Sequence, residues 1–464
     1  MSNTPTEKDG AIYDAKQLGM PKMLVLGLQH MFAMFGATIL VPILVNSYFH
    51  GEGLSIQVTL FFAGVGTLFF HICAKLKVPA FLGSSFAFLG GFATVAELNS
   101  GIFANMTYGE KLPYACGGIV VAGLLYLVLA LVIRLVGVKR VMRFLPPVVT
   151  GPIIICIGLS LAGSAINNAQ TNWFLALVAL VVIIAFNIWG KGMFKIIPIL
   201  MGVLISYAVA LAMQFAGMTN PDGSTIIDFT STASSAWVGL PDFILCKFNL
   251  TAILVMAPIA IATMMEHIGD MSSISATVGE NFLEYPGLHR TLIGDGLATA
   301  LSAFFGGPAN TTYGENTGVL ELSRVFDPAV IRIAAVYAVV LSFVPKFASI
   351  IGSMPASIIG GVSFILYGMI SAIGIRNVVE NRVDLTNSRN LIIAAVILVC
   401  GLGFSSGLTF EIAGTSITLT SLAIASIAGV LLNAILPGND YEFGVSPEGD
   451  MNRGVTLKAR HRQD

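Results

Sequence analysis

The sequence predicts an all-α, polytopic membrane protein, and three observations carry that prediction. Charged residues make up 11% of the 464 residues, against about 25% in a soluble globular domain. Apolar residues make up 55%, with a mean hydropathy of +0.85. From Phe144 to Gly190 there is no charged residue at all. Lipid tolerates only helices or closed barrels. A barrel would alternate polarity through segments of about ten residues, whereas the apolar runs here are continuous. A soluble enzyme, a disordered chain and a nucleic-acid binder with a basic surface are thereby excluded. The formal net charge of -1 offers a polyanion no attraction.

A spanning helix needs about 20 apolar residues. The longest uncharged stretch is two spans, broken by the polar run Asn167-Asn168-Ala169-Gln170-Thr171-Asn172. Reading such breaks along the chain gives fourteen segments, starting near residues 21, 55, 80, 113, 144, 173, 194, 249, 291, 312, 329, 354, 389 and 416. The third and tenth are short and rich in Gly, Ser and Thr. Charge asymmetry tests the count. With the N-terminus inside, 21 of the Lys and Arg residues fall inside, and only Lys111, Lys247 and Lys346 fall outside, as the positive-inside rule requires. Both termini are predicted to be cytoplasmic. The first 20 residues hold no short apolar core of the kind a removable signal peptide needs. Cys73, Cys116, Cys156, Cys246 and Cys400 are scattered without a CxxC pair, so neither a disulfide framework nor a metal site is expected. No cofactor motif is present. The Ser/Thr-rich outer loop from about residue 219 to 242 carries no functional signal.

Three short stretches recur in order. Leu145-Pro146-Pro147-Val148-Val149-Thr150-Gly151 matches Met354-Pro355-Ala356-Ser357-Ile358-Ile359-Gly360. Ser84-Ser85-Phe86-Ala87 matches Thr311-Thr312-Tyr313-Gly314, and Gln29-His30 matches Glu266-His267. Seven spans per half put the second half in opposite orientation, the inverted-repeat plan of secondary transporters. The third and tenth segments each follow a proline turn, Val78-Pro79 and Gly307-Pro308. Gly, Ser and β-branched Thr disfavour a continuous helix. Short extended pieces leading into two half-helices are expected at the midplane. Their N-termini would offer free N–H donors and positive dipole ends.

Ionisable residues inside spans are the candidates for chemistry. Glu266 sits deep in the eighth span, and Asp270 lies one turn later on the same helix face. Glu315 follows the tenth-span turn. Asp295 lies early in the ninth span and His30 in the first. A carboxylate at such depth is costly unless protonated or paired, and a group that trades a proton is what proton coupling needs. His267 faces away from Glu266 by helical geometry and is expected to be structural, as is His71.

These residues carry a resemblance. Gln29 to Ala37, Gly83-Ser84-Ser85-Phe86-Ala87-Phe88, Glu266-His267-Ile268-Gly269-Asp270, Pro286-Gly287-Leu288-His289-Arg290 and the stretch from Asn310 to Gly318 together resemble the nucleobase–ascorbate transporter family. These are the nucleobase:cation symporters, and the chain looks closest to their bacterial uracil permeases. The resemblance covers roughly residues 21 to 437. It implies a core domain of spans 1–4 and 8–11 (residues 21–135 and 248–347). A gate domain of spans 5–7 and 12–14 (138–216 and 353–437) and a cytoplasmic tail (438–464) complete the plan. It also implies a homodimer in the bacterial cytoplasmic membrane, with elevator-like movement.

By the same resemblance Glu266 and Glu315 bind the pyrimidine, with the backbone at Phe86 and Gly314. The chemistry is reasonable. Uracil alternates N–H donors and carbonyl acceptors along one edge; carboxylates accept from the first, and half-helix N–H groups donate to the second. Phe86 and Tyr313 are the candidates to stack on the ring. Proton coupling is expected of Glu266 with Asp270 and His30, supported by Ser85, Asn316 and Asp295. Glu315-Asn316 resembles uracil permeases, whereas xanthine and urate carriers more often have Gln before that Asn. Asp270 and Asp295 look more purine-like. The expected activity is uracil:proton symport, with a xanthine or other purine base:cation symporter as the alternative. A passive nucleobase channel and an anion exchanger on the same architecture are the rivals of other classes. The exchanger should carry a basic residue at the half-helix ends, and none lies between Pro79 and Phe92 or between Gly306 and Val319. No P-loop, metal set or nucleophile motif suggests an enzyme.

Overall fold

A computed structural model describes residues 11–412, 415–439 and 441; most of the expected tail at 438–464 lies outside the described residues. Helices dominate. The first half runs α1 (Met20–Tyr48), α2 (Ile56–Cys73), a short strand β1 (Leu82–Ser84), α3 (Leu89–Ala96), α4 (Tyr108–Val136) and α5 (Val138–Met142). It continues through α6 (Pro147–Ser160), α7 (Ala162–Ala169), α8 (Trp173–Trp189), α9 (Met193–Ile196), α10 (Pro198–Phe215) and α11 (Thr230–Ser234). The second half runs α12 (Leu250–Met256), α13 (Ala260–Val278), α14 (Leu288–Phe304), β2 (Asn310–Thr312), α15 (Gly314–Ser323), α16 (Pro328–Ser342) and α17 (Pro345–Gly352). It ends with α18 (Ala356–Glu380), α19 (Ser388–Gly403), a hairpin of β3 (Leu408–Ile412) and β4 (Thr415–Leu419), and α20 (Ser421–Ile435).

Among the described residues, seven helices are long and apolar enough to cross a membrane, taking α6 with α7 and α12 with α13. The pair α16 and α17 makes an eighth when counted as one span bent by 86° at its break. The apolar helices α8, α19 and α20 are shorter. Large apolar side chains stand exposed on the outside, among them Phe174, Val181 and Ile188 of α8. Water would penalise that surface, and lipid does not.

Local chemistry corrects two of the expected boundaries. The fourth segment begins at Tyr108 rather than 113, because Thr107 and Glu110 form a capping box ahead of the apolar run. The last helix begins at Ser421 rather than 416. Residues 415–419 are rich in β-branched side chains and pair with β3 in register Leu408↔Leu419, and the Thr420 side chain then caps α20.

The helices pack in two sets. In one, α14 packs against α4 and α2, and α16 bridges α2 and α1; in the other, α6, α7, α8 and α10 close around α18, with α19 and α20 beside them. Against α1, α2 and α14 of the first set the chain breaks its helical pattern twice. β1 and β2 run antiparallel with Gly83 opposite Thr311, leading into the two stretches that recur in the sequence. Every residue of both strands is buried. Unwound backbone at such depth must satisfy its polar groups within the protein. It does so: Leu82 N–H donates to Thr67 Oγ1 at 2.8 Å, Ser85 N–H to the Ala309 carbonyl at 2.8 Å, and Tyr313 N–H to the Phe81 carbonyl at 3.0 Å. The Asn310 side chain donates to the Phe62 carbonyl at 3.2 Å, tying β2 to α2.

Candidate functional site

Each strand leads toward a short helix. α15 starts at Gly314 directly after β2, with Tyr313 at its cap making no side-chain cap hydrogen bond. Glu315 lies in that first turn. α3 follows β1 only after the turn Ser85-Phe86-Ala87-Phe88. The two turns are therefore unequal at the site: Tyr313, Gly314 and Glu315 all face the cavity, but from the matching turn at 84–87 only Phe86 does so.

That cavity has a volume of about 140 Å³, some ten times the ~10–15 Å³ that one water requires. Glu266 and Asp270 reach it from α13, one turn apart. Glu315 and Glu321 reach it from α15, so four carboxyl groups share the wall. Asp270 accepts a 2.6 Å hydrogen bond from Thr312 Oγ1, the last residue of β2. Glu266 differs, because its Oε2 is buried with no hydrogen-bond partner among the described residues. That oxygen is free to meet an occupant. Phe86 meets Tyr367 of α18 edge-on, centroids 5.9 Å apart. Tyr313 also borders the cavity, but its hydroxyl donates to the Ser84 carbonyl at 2.9 Å, so the ring is held from behind by β1.

Three sequence candidates sit behind the cavity. His30 is fully buried, and Asn316 Nδ2 lies 3.2 Å from its Nδ1 and 3.0 Å from its carbonyl oxygen. His30 thus meets Asn316 rather than a carboxylate. Ser85 is buried with its Oγ unpartnered among the described residues. Asp295 is fully buried on α14, its Oδ2 2.8 Å from His267 Nδ1. His267 does face away from Glu266, and its Nε2 lies 3.0 Å from Thr291 Oγ1. The polar trio Asp295, His267 and Thr291 ties α13 to α14 directly behind Glu266.

A protein-family comparison carries the identification. The model of a permease family matches residues 21–410. The chain belongs to that permease family. It is 41% identical to the uracil permease of Bacillus caldolyticus over 430 residues, covering 89% of this chain and 92% of that one. It is 39% identical to the uracil permease of Bacillus subtilis, covering 88% and 91%. Among solved structures, the transmembrane domain of a cyanobacterial bicarbonate transporter, BicA, superposes with a TM-score of 0.60 at 14% identity, covering 90% of this chain and 99% of that one. At that identity the likeness speaks for fold alone. Family and relatives are permeases, not enzymes, and the chain is a multi-pass membrane protein.

The permease cavity also has walls that sequence reasoning missed. Ile154 of α6 and Ile370, Ile373, Arg376 and Asn377 of α18 close it from the second helix set. A Cβ on Gly314 would lie 3.4 Å from Ile373 Cδ1, so that isoleucine sits directly over the start of α15. Arg376 is the one basic side chain on the wall among the described residues, and its Nη2 lies 3.2 Å from Ser273 Oγ of α13. The recurring Pro-containing stretches at 145–151 and 354–360 open the two helices that bear these residues, and they were the available signal.

Thr312→Val tests the role of the strand in this permease. It removes the one side-chain donor to Asp270 among the described residues. Leaving a buried acceptor unmatched costs about 1–3 kcal/mol. The variant is expected to melt at lower temperature in detergent and to shift the pH profile of transport; an unchanged profile would mean that Asp270 takes no part in proton handling.

Proposed function

We propose that this permease is a secondary active transporter importing uracil with protons by alternating access in a bacterial cytoplasmic membrane. The observation that carries the reading is the carboxyl-lined cavity beside a broken helix: Glu266 unpartnered, Glu315 at the uncapped start of α15, and Gly314 backbone exposed between them. Carboxyl oxygens accept from the two ring N–H groups of uracil, and free N–H groups at the helix start donate to its carbonyls. The relatives named uracil permease, at 41% and 39% identity, support uracil over other bases.

In this reading the chain is a 7+7 inverted repeat of fourteen spans. The set around α14 is the core domain and the set around α18 the gate. With the N-terminus inside, Ser273, Thr277, Arg376 and Asn377 lie at the inner ends of their helices, so the cavity opens toward the cytoplasm. Phe86 against Tyr367 closes the outer side. Glu266 takes a proton from outside with the base and gives it up inside after the core shifts against the gate. Asp270 lies within one turn to share that proton. A homodimer is the expected assembly. A wall of four carboxyl groups with no base at the helix starts suits a neutral hydrogen-bonding ring better than an anion.

The test is uptake of labelled uracil into cells lacking their own carrier, with and without protonophore, and with xanthine, thymine and cytosine as competitors. Accumulation that collapses with protonophore and resists xanthine is expected. Competition by xanthine would make this a purine carrier. Uptake that only equilibrates would make it a passive channel.

A further inference from the structure

The chain between α11 and α12 has no motif, yet it carries a dense run of exposed apolar side chains. Trp237, Val238, Leu240, Leu245 and Phe248, with Leu250 at the start of α12, are each 55–81% exposed. The segment is not loose. Lys346 N–H donates to the Ala236 carbonyl at 2.9 Å and Gly239 N–H to that of Phe343 at 3.1 Å. Ile244 and Cys246 N–H groups donate to the Phe305 and Phe304 carbonyls at 3.2 and 3.0 Å, and Lys247 N–H to that of Pro113 at 2.9 Å. Phe243 packs beside Phe61 and Phe305. The segment therefore crosses the ends of α16 and α17, then α14, then α4, as a belt stapled by backbone hydrogen bonds.

We propose that residues 236–250 form a belt seated in the outer lipid interface, and that its partner is the bilayer. Continuity of surface favours lipid over a protein. The exposed face of the belt runs into the exposed apolar faces of the helices beneath it, at Phe304 of α14 and Val336 and Val340 of α16. Four of its N–H groups, those of Gly239, Ile244, Cys246 and Lys247, are bonded within the protein, and a seat at headgroup depth keeps the rest out of the water-free hydrocarbon core. Its charges mark the depth. Lys247 lies over the Tyr114 ring at 5.7 Å and Lys346 over the Trp237 ring at 6.0 Å, while Lys111 on the same outer rim lies over Tyr108 at 5.1 Å. Asp242 is also exposed. Charged groups on aromatic rings belong at headgroup level, where Trp and Tyr concentrate. The belt joins the outer ends of one helix set only, so that set moves through lipid with its rim already bound.

The test uses the full chain in proteoliposomes, with Trp237→Phe as the reference that retains uracil uptake. The emission lost in that variant reports Trp237 against Trp173 and Trp189. It is expected to be quenched by lipids brominated near the headgroup, less by lipids brominated near the chain ends, and not by external iodide. Quenching by iodide would place the belt in water and overturn the proposal. Shielding from both quenchers would mean that protein covers it, and strongest quenching by the deep bromines would refute the interfacial depth. Leu240→Cys labelled with an environment-sensitive dye gives a second readout, with blue-shifted emission expected and water-like emission contradicting the proposal.

Discussion

Replacing Glu266 by Gln is expected to abolish accumulation of uracil against its gradient and to flatten the pH dependence of any flux that remains. The reasoning starts from what holds each acid. Asp270 is already engaged by Thr312 at 2.6 Å, and Asp295 lies against His267 at 2.8 Å, away from the cavity. Glu266 lines the cavity with an unpartnered Oε2, so its best hydrogen-bond partners are the substrate and a proton. Gln keeps the shape but cannot gain or lose a proton. It also presents an N–H where an acceptor is needed. With Glu266 protonated in the loaded state, the hydrogen bond at stake is a neutral one worth about 0.5–1.5 kcal/mol, so KM is expected to rise roughly twofold to tenfold. Initial rates against external pH, in proteoliposomes with an imposed pH gradient, give the measurement. Full accumulation with the original pH profile would move the coupling to another group.

The acids were legible because a charge inside an apolar run stands out. Glu266, Asp270 and Glu315 needed only their spacing and depth to be singled out, and the structure brings all three to one cavity. What holds them was not legible. Thr312 is 42 residues from Asp270, and Asn316 is 286 residues from His30. Such pairs follow from packing, which no local pattern encodes. The apolar wall was invisible for a different reason. Ile373 covers the site while Ile375, two positions on along α18, is 53% exposed on the outside, and composition cannot tell a substrate-facing isoleucine from a lipid-facing one. The hairpin before α20 was missed although Thr415-Ser416-Ile417-Thr418-Leu419 carries strand-forming residues; within an apolar run, hydropathy outvoted that signal. The breaks at β1 and β2 were read correctly because Gly, Ser, Thr and Pro cluster there twice at matching places.

Those breaks define the last expected result: Gly83→Ala should destroy transport although it adds only one methyl group. A Cβ at Gly83 would run into the Tyr313 ring and lie 2.7 Å from Thr38 Oγ1. Neither neighbour can yield easily. Thr38 belongs to α1, and its carbonyl accepts from Ser84 Oγ at 2.7 Å. Tyr313 is pinned by its hydroxyl on the Ser84 carbonyl, and it caps the helix that carries Glu315. Overpacking of this kind costs about 1–3 kcal/mol. The strain falls on the single crossing that positions Phe86, Gly314 and Glu315 together. Uptake is expected to fall to background, with a lower melting temperature for purified protein. Gly90→Ala is the matched control on the same segment, because its Cβ would meet nothing within 4 Å, and it should transport normally. Equal activity in the two variants would show that the strand crossing tolerates displacement and that Glu315 is positioned by something other than Tyr313.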